Sequence, residues 1–206
     1  HSRLLELTAI GVTAVALFAF LYAFSLDRPF HTDTTAYFKS LRDLRDGALT
    51  CGYANRCMVS YFLIPFAPFG DGAVKLGLVT AAVAFFVFAY LLFARLFSKP
   101  SAYVASLCVL LAPAGLITVT HLKEDFVGLM FLAIALYLAV RPRRAAWRLL
   151  GPAVFALSLL SKESFLLFAP FCFLVYAQHL LGGAGPRAAG EASALRDPKG
   201  WLLFAA

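Results

Sequence analysis

The stretch Leu149–Leu181, LLGPAVFALSLLSKESFLLFAPFCFLVYAQHLL, decides how this chain folds, because its only formally charged residues are an adjacent pair, Lys162 and Glu163. Read as one α-helix it would be about 50 Å long, well beyond the ~30 Å hydrocarbon core of a bilayer. Ser161-Lys162-Glu163-Ser164 therefore reads as the turn of a hairpin, with Leu149–Ser161 and Ser164–Leu181 as its arms.

The same ruler sorts the rest of the chain. Leu7–Leu26 and Ser101–Thr120 are twenty residues each without a formal charge, and Leu76–Ala94 is nineteen; a helix needs about 20 apolar residues to cross. Phe126–Val140, with fifteen, and the two hairpin arms need flanking residues to reach both interfaces. This predicts an all-α, polytopic transmembrane helical bundle of six spans, with Trp201–Ala206 as the start of a seventh. With 62% hydrophobic and 14% charged residues, the chain has too little polar surface for a soluble domain of its length. Leu7–Leu26 is followed by Asp27-Arg28 rather than by a small-residue cleavage site, so it reads as a retained signal anchor. The chain lacks an initiator Met and stops inside an apolar run, so residues 1–206 are expected to be a single transmembrane domain at the N-terminal end of a longer protein.

Charge gives the orientation. With the N-terminus in the cytoplasm, the inner side holds ten basic residues against three acidic ones, and the outer side eight against eight. The Lys/Arg excess near span ends marks the cytoplasmic side, and Arg141, Arg143, Arg144 and Arg148 form its clearest cluster. The net charge of +7 thus reflects topology and contact with anionic membrane lipids, and points away from nucleic acid. The implied location is a plasma or inner membrane.

In that orientation residues 27–57 form the longest external loop. Tyr37, Leu41, Leu44 and Ala48 recur at helical spacing, Lys39, Ser40, Arg42, Asp43, Arg45 and Asp46 take the opposite face, and Gly47 is placed to end the helix. This predicts an amphipathic helix lying on the external surface. Met58–Gly70 is uncharged, contains Pro65 and Pro68 and is too short to span, so it is expected to re-enter the interface before the next span begins near Asp71. Residues 182–200, with Pro186, Pro198 and many Gly and Ala, read as a cytoplasmic connector. Cys51 and Cys57 share the oxidising side, which makes a disulfide between them reasonable; two free thiols are the other reading. Cys108 and Cys172 fall inside spans, and four cysteines so separated give no zinc pattern.

The remaining ionisable residues gather at one face. Asp33, Lys123, Glu124, Asp125, Lys162 and Glu163 all lie where apolar segments begin or end on the external side, and charges at membrane depth are usually kept for function. A first transmembrane helix, an external loop opening with His31-Thr32-Asp33-Thr34-Thr35-Ala36-Tyr37, an interfacial helix and external acids at Lys123-Glu124-Asp125 resemble the N-terminal half of GT-C glycosyltransferases. These polytopic enzymes take sugars from polyprenyl phosphates; protein O-mannosyltransferases and the aminoarabinose transferase of lipid A are among them. Members often carry an adjacent Asp-Glu pair in the first loop, whereas here Asp33 is followed by Thr34.

The resemblance implies a membrane glycosyltransferase that moves a sugar from a polyprenyl-phosphate donor to a lipid, glycan or protein acceptor at the external or periplasmic face. A polyprenyl carrier keeps its tail in the bilayer, so its phosphate and sugar are met at headgroup level. Inverting transfer needs a carboxylate to take the acceptor proton, and cations or a metal to stabilise the departing phosphate. Asp33 resembles the family's first-loop base. Arg56, His121, Lys123 and Lys162 are the candidate phosphate partners, and Glu124, Asp125 and Glu163 would orient substrate or hold a divalent metal.

Each assignment has a structural competitor. Asp33 would equally cap the interfacial helix, and Glu124 and Asp125 would favour the positive end of the helix they open. Lys162 and Glu163 would compensate each other at a turn, and Arg56 would snorkel to lipid headgroups. Lys123-Glu124-Asp125-Phe126 and Lys162-Glu163-Ser164-Phe165 share the pattern K-E-x-F at two successive external turns. Repeated hairpins also build transporters, so a carrier or flippase for lipid-linked substrates without chemistry is the rival reading. A scaffold subunit is a third, and it predicts that the external charges tolerate substitution.

Overall fold

The computed structural model describes residues 2–26, 39, 41–43, 46–47, 57–112, 125–140, 145–170 and 172–174. They carry helices α1 (Ser2–Leu26), α2 (Cys57–Leu63), α3 (Asp71–Leu96), α4 (Lys99–Leu111), α5 (Asp125–Val140) and α6 (Ala145–Ser161), with 3₁₀ turns at Ala67–Phe69 and Glu163–Phe168. No strand occurs among the described residues.

Helix α3 is the hub. It packs against α1, α4 and α5, while α5 pairs with α6 and α2 touches α3, α5 and α6. Its sequence is apolar on every side, and Val74, Leu78, Val79, Ala82, Phe86 and Ala89 are all buried. The alanines at 81, 82 and 89 let neighbouring backbones come close, as packing between helices in lipid requires. Half of the apolar window of α3 is buried, against 11% of that of α1. Leu4, Leu5, Val12, Val15 and Phe20 of α1 are more than half exposed. A helix apolar all round that buries little in protein has hydrocarbon as its natural surroundings. Leu4–Leu26 and Asp71–Leu96 are both long and apolar enough to cross a membrane, and α4, α5 and most of α6 are shorter apolar helices.

Successive long helices alternate in direction. Lys75, in the second turn of α3, bonds the carbonyls at the end of α1; Lys162, just past α6, pairs with Asp125 at the start of α5. Glu6, near the start of α1, pairs with Lys99 at the start of α4. The ends facing Asp125 are those assigned to the outside from sequence, and the ends facing Glu6 are those assigned to the cytoplasm.

The predicted break in Leu149–Leu181 is where the helix stops. Helix α6 ends at Ser161, Lys162 is extended (φ −161°, ψ 126°), and the chain resumes as a 3₁₀ turn at Glu163. Phe165 and Cys172 then pack with Leu132, Phe155 and Leu159, so the chain turns back along α5 and α6. Helix α6 begins at Ala145, which gives the short arm the flanking turn it needed.

One expectation is corrected. Ser101–Thr120 does not continue as one helix, because α4 ends at Leu111 and Ala112 leaves the helical region (ψ 148°). Pro113 is the cause: the residue before a proline is pushed out of the α region by the proline ring.

Residues 57–70 wedge between helices. Phe62 meets Phe131 edge-on, with ring centroids 6.5 Å apart, and the Phe66 ring lies where a Cβ on Gly77 would fall, 2.8 Å from Cδ2. Phe131 and Gly77 are each six residues in from the first residues of their helices, a depth of about 9 Å. Gly70 (φ +87°) turns the chain into α3 through a conformation that side-chain-bearing residues rarely adopt, and its carbonyl accepts from Ala73 and Val74. In the first loop, Lys39 and residues 41–43 are helical; Leu41 is buried, Arg42 is exposed and Gly47 has φ +89°. The connector at 182–200 and the apolar run from Trp201 lie outside the described residues.

Candidate functional site

At the end of the bundle where α5 begins and α6 stops, one residue of each K-E-x-F pattern meets the other. Asp125 is the first residue of α5, and Lys162 is held extended by the stop of α6. The hairpin geometry brings Lys162 Nζ onto Asp125 Oδ1 in a charge-assisted hydrogen bond. The aromatic of each pattern is buried: Phe126 packs on Phe85 with ring centroids 5.9 Å apart, and Phe165 seats against α5. Lys162 finds a partner thirty-seven positions away, at the start of α5; the side chain of Glu163, the neighbour expected to compensate it, lies outside the described residues.

Small residues make this meeting possible. The Phe165 ring fills the space that a Cβ on Gly128 would need, so only glycine allows the returning segment to close on α5 one turn below Asp125. Ser158 is fully buried, and its hydroxyl donates to the Gly128 carbonyl at 3.0 Å, tying α6 to α5 at the same level. Ser161 is also buried and donates back to the Leu157 carbonyl at 2.9 Å, one turn earlier in α6.

The Asp125 and Lys162 side chains are each about a quarter exposed, at 23% and 26%. The pair is therefore neither a solvated surface contact nor a sealed ion pair. Among the described residues Asp125 Oδ2 has no partner, and an ammonium has three N–H donors, of which the pair uses one. The arrangement can hold one cationic group at this end of the bundle with donors left over for an anionic oxygen.

A second feature at the same end of the bundle was not read from the sequence. Lys75 is 7% exposed, and its ammonium donates to the carbonyls of Ser25 at 2.9 Å and Leu26 at 3.1 Å. The signal was an ionisable residue one turn into an apolar helix, which was taken as the boundary of the span beginning at Leu76. At the opposite end, Glu6 accepts from Tyr90 Oη at 2.6 Å on one oxygen and from Lys99 on the other.

The other candidates are distributed as follows. Asp33, Arg56, His121, Lys123, Glu124 and Cys51 lie outside the described residues, as do the side chains of Glu163 and Cys57. The backbone of Glu163 opens the 3₁₀ turn, and Cys57 opens α2. Among the described residues no three His, Cys, Asp or Glu side chains converge on one point. Cys108 and Cys172 are free thiols.

A family model described as dolichyl-phosphate-mannose-protein mannosyltransferase matches residues 58–190, which include both K-E-x-F patterns and the Asp125–Lys162 pair. No curated protein and no solved structure matches the chain.

Proposed function

This chain belongs to the dolichyl-phosphate-mannose-protein mannosyltransferase family within the GT-C superfamily, and on that premise we propose that it transfers a sugar from a polyprenyl-phosphate carrier to an acceptor hydroxyl at the external face. The family and the two long apolar helices together make it an integral membrane glycosyltransferase. The observation that carries the finer reading is the Asp125–Lys162 pair, which joins the start of α5 to the end of α6 within the matched region.

In the proposed reaction the Asp33 carboxylate takes the proton of the acceptor hydroxyl as its oxygen attacks the anomeric carbon. The bond from that carbon to the phosphate oxygen breaks, and its electron pair leaves with the polyprenyl phosphate; the configuration inverts. Lys162, steadied by Asp125, donates to the departing phosphate, assisted by Lys123, His121 and Arg56. Glu124 and Glu163 orient the sugar or the acceptor, or bind a divalent ion. Because one Lys162 donor is spent on Asp125, that pair contributes direction more than net charge, and Lys123 and Arg56 supply the charge.

The accompanying topology is six spans with the N-terminus in the cytoplasm and the segment around Leu41 lying on the external surface. Single cysteines at Arg45, Lys123 and Glu163 should react with an impermeant thiol reagent from outside, and those at Arg144 and Arg187 should not. External reaction at Arg187 would mean that residues 149–181 cross only once. A Cys51–Cys57 disulfide is part of the same proposal, and both residues alkylating fully without reductant would remove it.

The activity is tested with the full-length protein in host membranes, supplied with a panel of labelled polyprenyl-phosphate hexoses and pentoses. Label passing from the lipid phase to an acceptor supports transfer. Label that crosses the membrane still attached to its lipid would overturn transfer in favour of a carrier.

A further inference from the structure

Lys75 belongs to none of the roles above, yet it is the most deeply placed cation among the described residues: 7% exposed, in the second turn of an apolar helix. Its partners are the carbonyls of Ser25 and Leu26, at 2.9 and 3.1 Å. The last four carbonyls of any α-helix have no donor further along the helix, and the helix dipole places partial negative charge there. An ammonium set against two of them satisfies both demands, and in hydrocarbon surroundings there is little water to replace it.

The location gives this bond a consequence beyond the stability of α1. Leu26 is the last residue of α1, and the external loop begins at Asp27; α3 begins at Asp71, immediately after the wedge of residues 57–70. Lys75 thus ties together the two stems from which residues 27–70 emerge. Neighbouring contacts hold the same level: the Ser25 hydroxyl, fully buried, donates to the Tyr22 carbonyl at 2.8 Å, and Tyr22 Oη lies 3.6 Å from where a Cβ on Gly72 would be. Asp33 follows Leu26 by seven positions, so the direction in which the chain leaves α1 sets where that carboxylate can go.

We propose that Lys75 is a positioning residue of the transfer reaction: its ammonium clamps the end of α1 and thereby fixes the departure of the loop that carries Asp33. The proposal rests on the assignment of Asp33 as the base. A misplacement of about 1 Å in a reacting group can cost on the order of 100-fold in rate, so loosening one end of this loop should appear in turnover before it appears in donor affinity.

The test is a double-mutant cycle in the full-length protein, with the labelled polyprenyl-phosphate sugar that supports transfer as donor. Lys75→Met keeps the length and apolar stem but removes the donors. It should lower kcat by about tenfold or more with donor KM within about threefold, and it should cost nothing further in an Asp33→Asn background. Lys75→Gln keeps an uncharged amide donor group and should fall between wild type and Met; if the Met variant does not accumulate, a Gln variant slowed at unchanged KM carries the test. Wild-type kcat in the folded variants would overturn the proposal, as would a loss that adds in full to that of Asp33→Asn. A silent Asp33→Asn, with Lys75→Met still slow, would show instead that the base assignment had failed.

Discussion

Among the described residues each end of the helical bundle carries a lysine–carboxylate pair, and the two pairs are built differently. At the end where α1 and α4 begin, both oxygens of Glu6 are engaged, one by Tyr90 and the other by Lys99. Tyr90 is 2% exposed and stacks edge-on with Tyr103, whose hydroxyl bonds Thr13 at 2.6 Å, so three helices are laced side chain to side chain. At the opposite end Asp125 uses one oxygen, Lys162 one donor, and the surroundings are the small residues Gly128, Ser158 and Ser161. Saturated polar networks rigidify, whereas one with capacity left can accept a ligand without first breaking its own bonds. The same chemistry therefore fastens one end of the molecule and leaves the other available.

The largest effect expected from this contrast is at Asp33. Asn caps a helix about as well as Asp but cannot take a proton, so Asp33→Asn should lower transfer by roughly 100-fold or more while expression and donor binding stay near normal. If Asp33 were only a cap, Asn would be nearly silent and Asp33→Ala would cost about 1 kcal/mol of local stability. Near-normal turnover by a folded Asn variant would send the search for a base to Glu124, Asp125 and Glu163.

Next come the two pairs themselves. Asp125→Asn and Lys162→Met should each lower kcat/KM by about tenfold or more, and the double variant should lose little beyond the worse single, because the two act as a unit. Glu6→Gln should leave transfer within about twofold and lower thermal stability instead, since Lys99 is 57% exposed and water can replace its partner. Equal losses of turnover at the two ends would erase the distinction between them.

Much of this architecture is legible in the sequence because hydrocarbon imposes a fixed length on apolar runs. The starts of α3 near Asp71 and of α5 near Asp125, and the stop at Ser161, all follow from where charges interrupt those runs. The stop at Leu111 was equally present in the chain, as Pro113, but a count of uncharged residues does not register it. The pairing of Asp125 with Lys162 was not legible, because charges adjacent in sequence look like partners until backbone direction is known. Lys75 was passed over for a related reason: a count of uncharged residues starts after it, although a long cation can be buried when carbonyls lie within reach. Neither Gly128 nor Tyr90 announces itself, since their roles depend on what another helix brings opposite them.

A third effect concerns packing at the external end alone. Gly128→Ala places a methyl group in the space of the Phe165 ring, and such overpacking costs about 1–3 kcal/mol. Because Phe165 lies three residues beyond Lys162, the methyl should also displace the ammonium and slow transfer. Phe165→Leu in the Gly128→Ala background should restore part of both. A Gly128→Ala variant as stable and as active as wild type would mean that the hairpin does not close on α5 as described.

The smallest effect, and the one that isolates the cytoplasmic lacing, is Tyr90→Phe. The substitution removes one hydroxyl donor from Glu6 Oε1 and nothing else: the ring keeps its edge-on contact with Tyr103 at 6.4 Å, and Lys99 keeps the other oxygen. The Glu6 side chain is 24% exposed, so water can reach the vacated oxygen and no buried acceptor is stranded. A hydrogen bond lost under those conditions costs about 1 kcal/mol, against the larger penalty for leaving a polar group buried and unpaired. Thermal unfolding in a fixed detergent should therefore show a small drop for Tyr90→Phe, less than for Glu6→Gln, with turnover unchanged. A drop in turnover comparable to that of Asp125→Asn would place the cytoplasmic end in the reaction path and refute the division of labour between the two pairs.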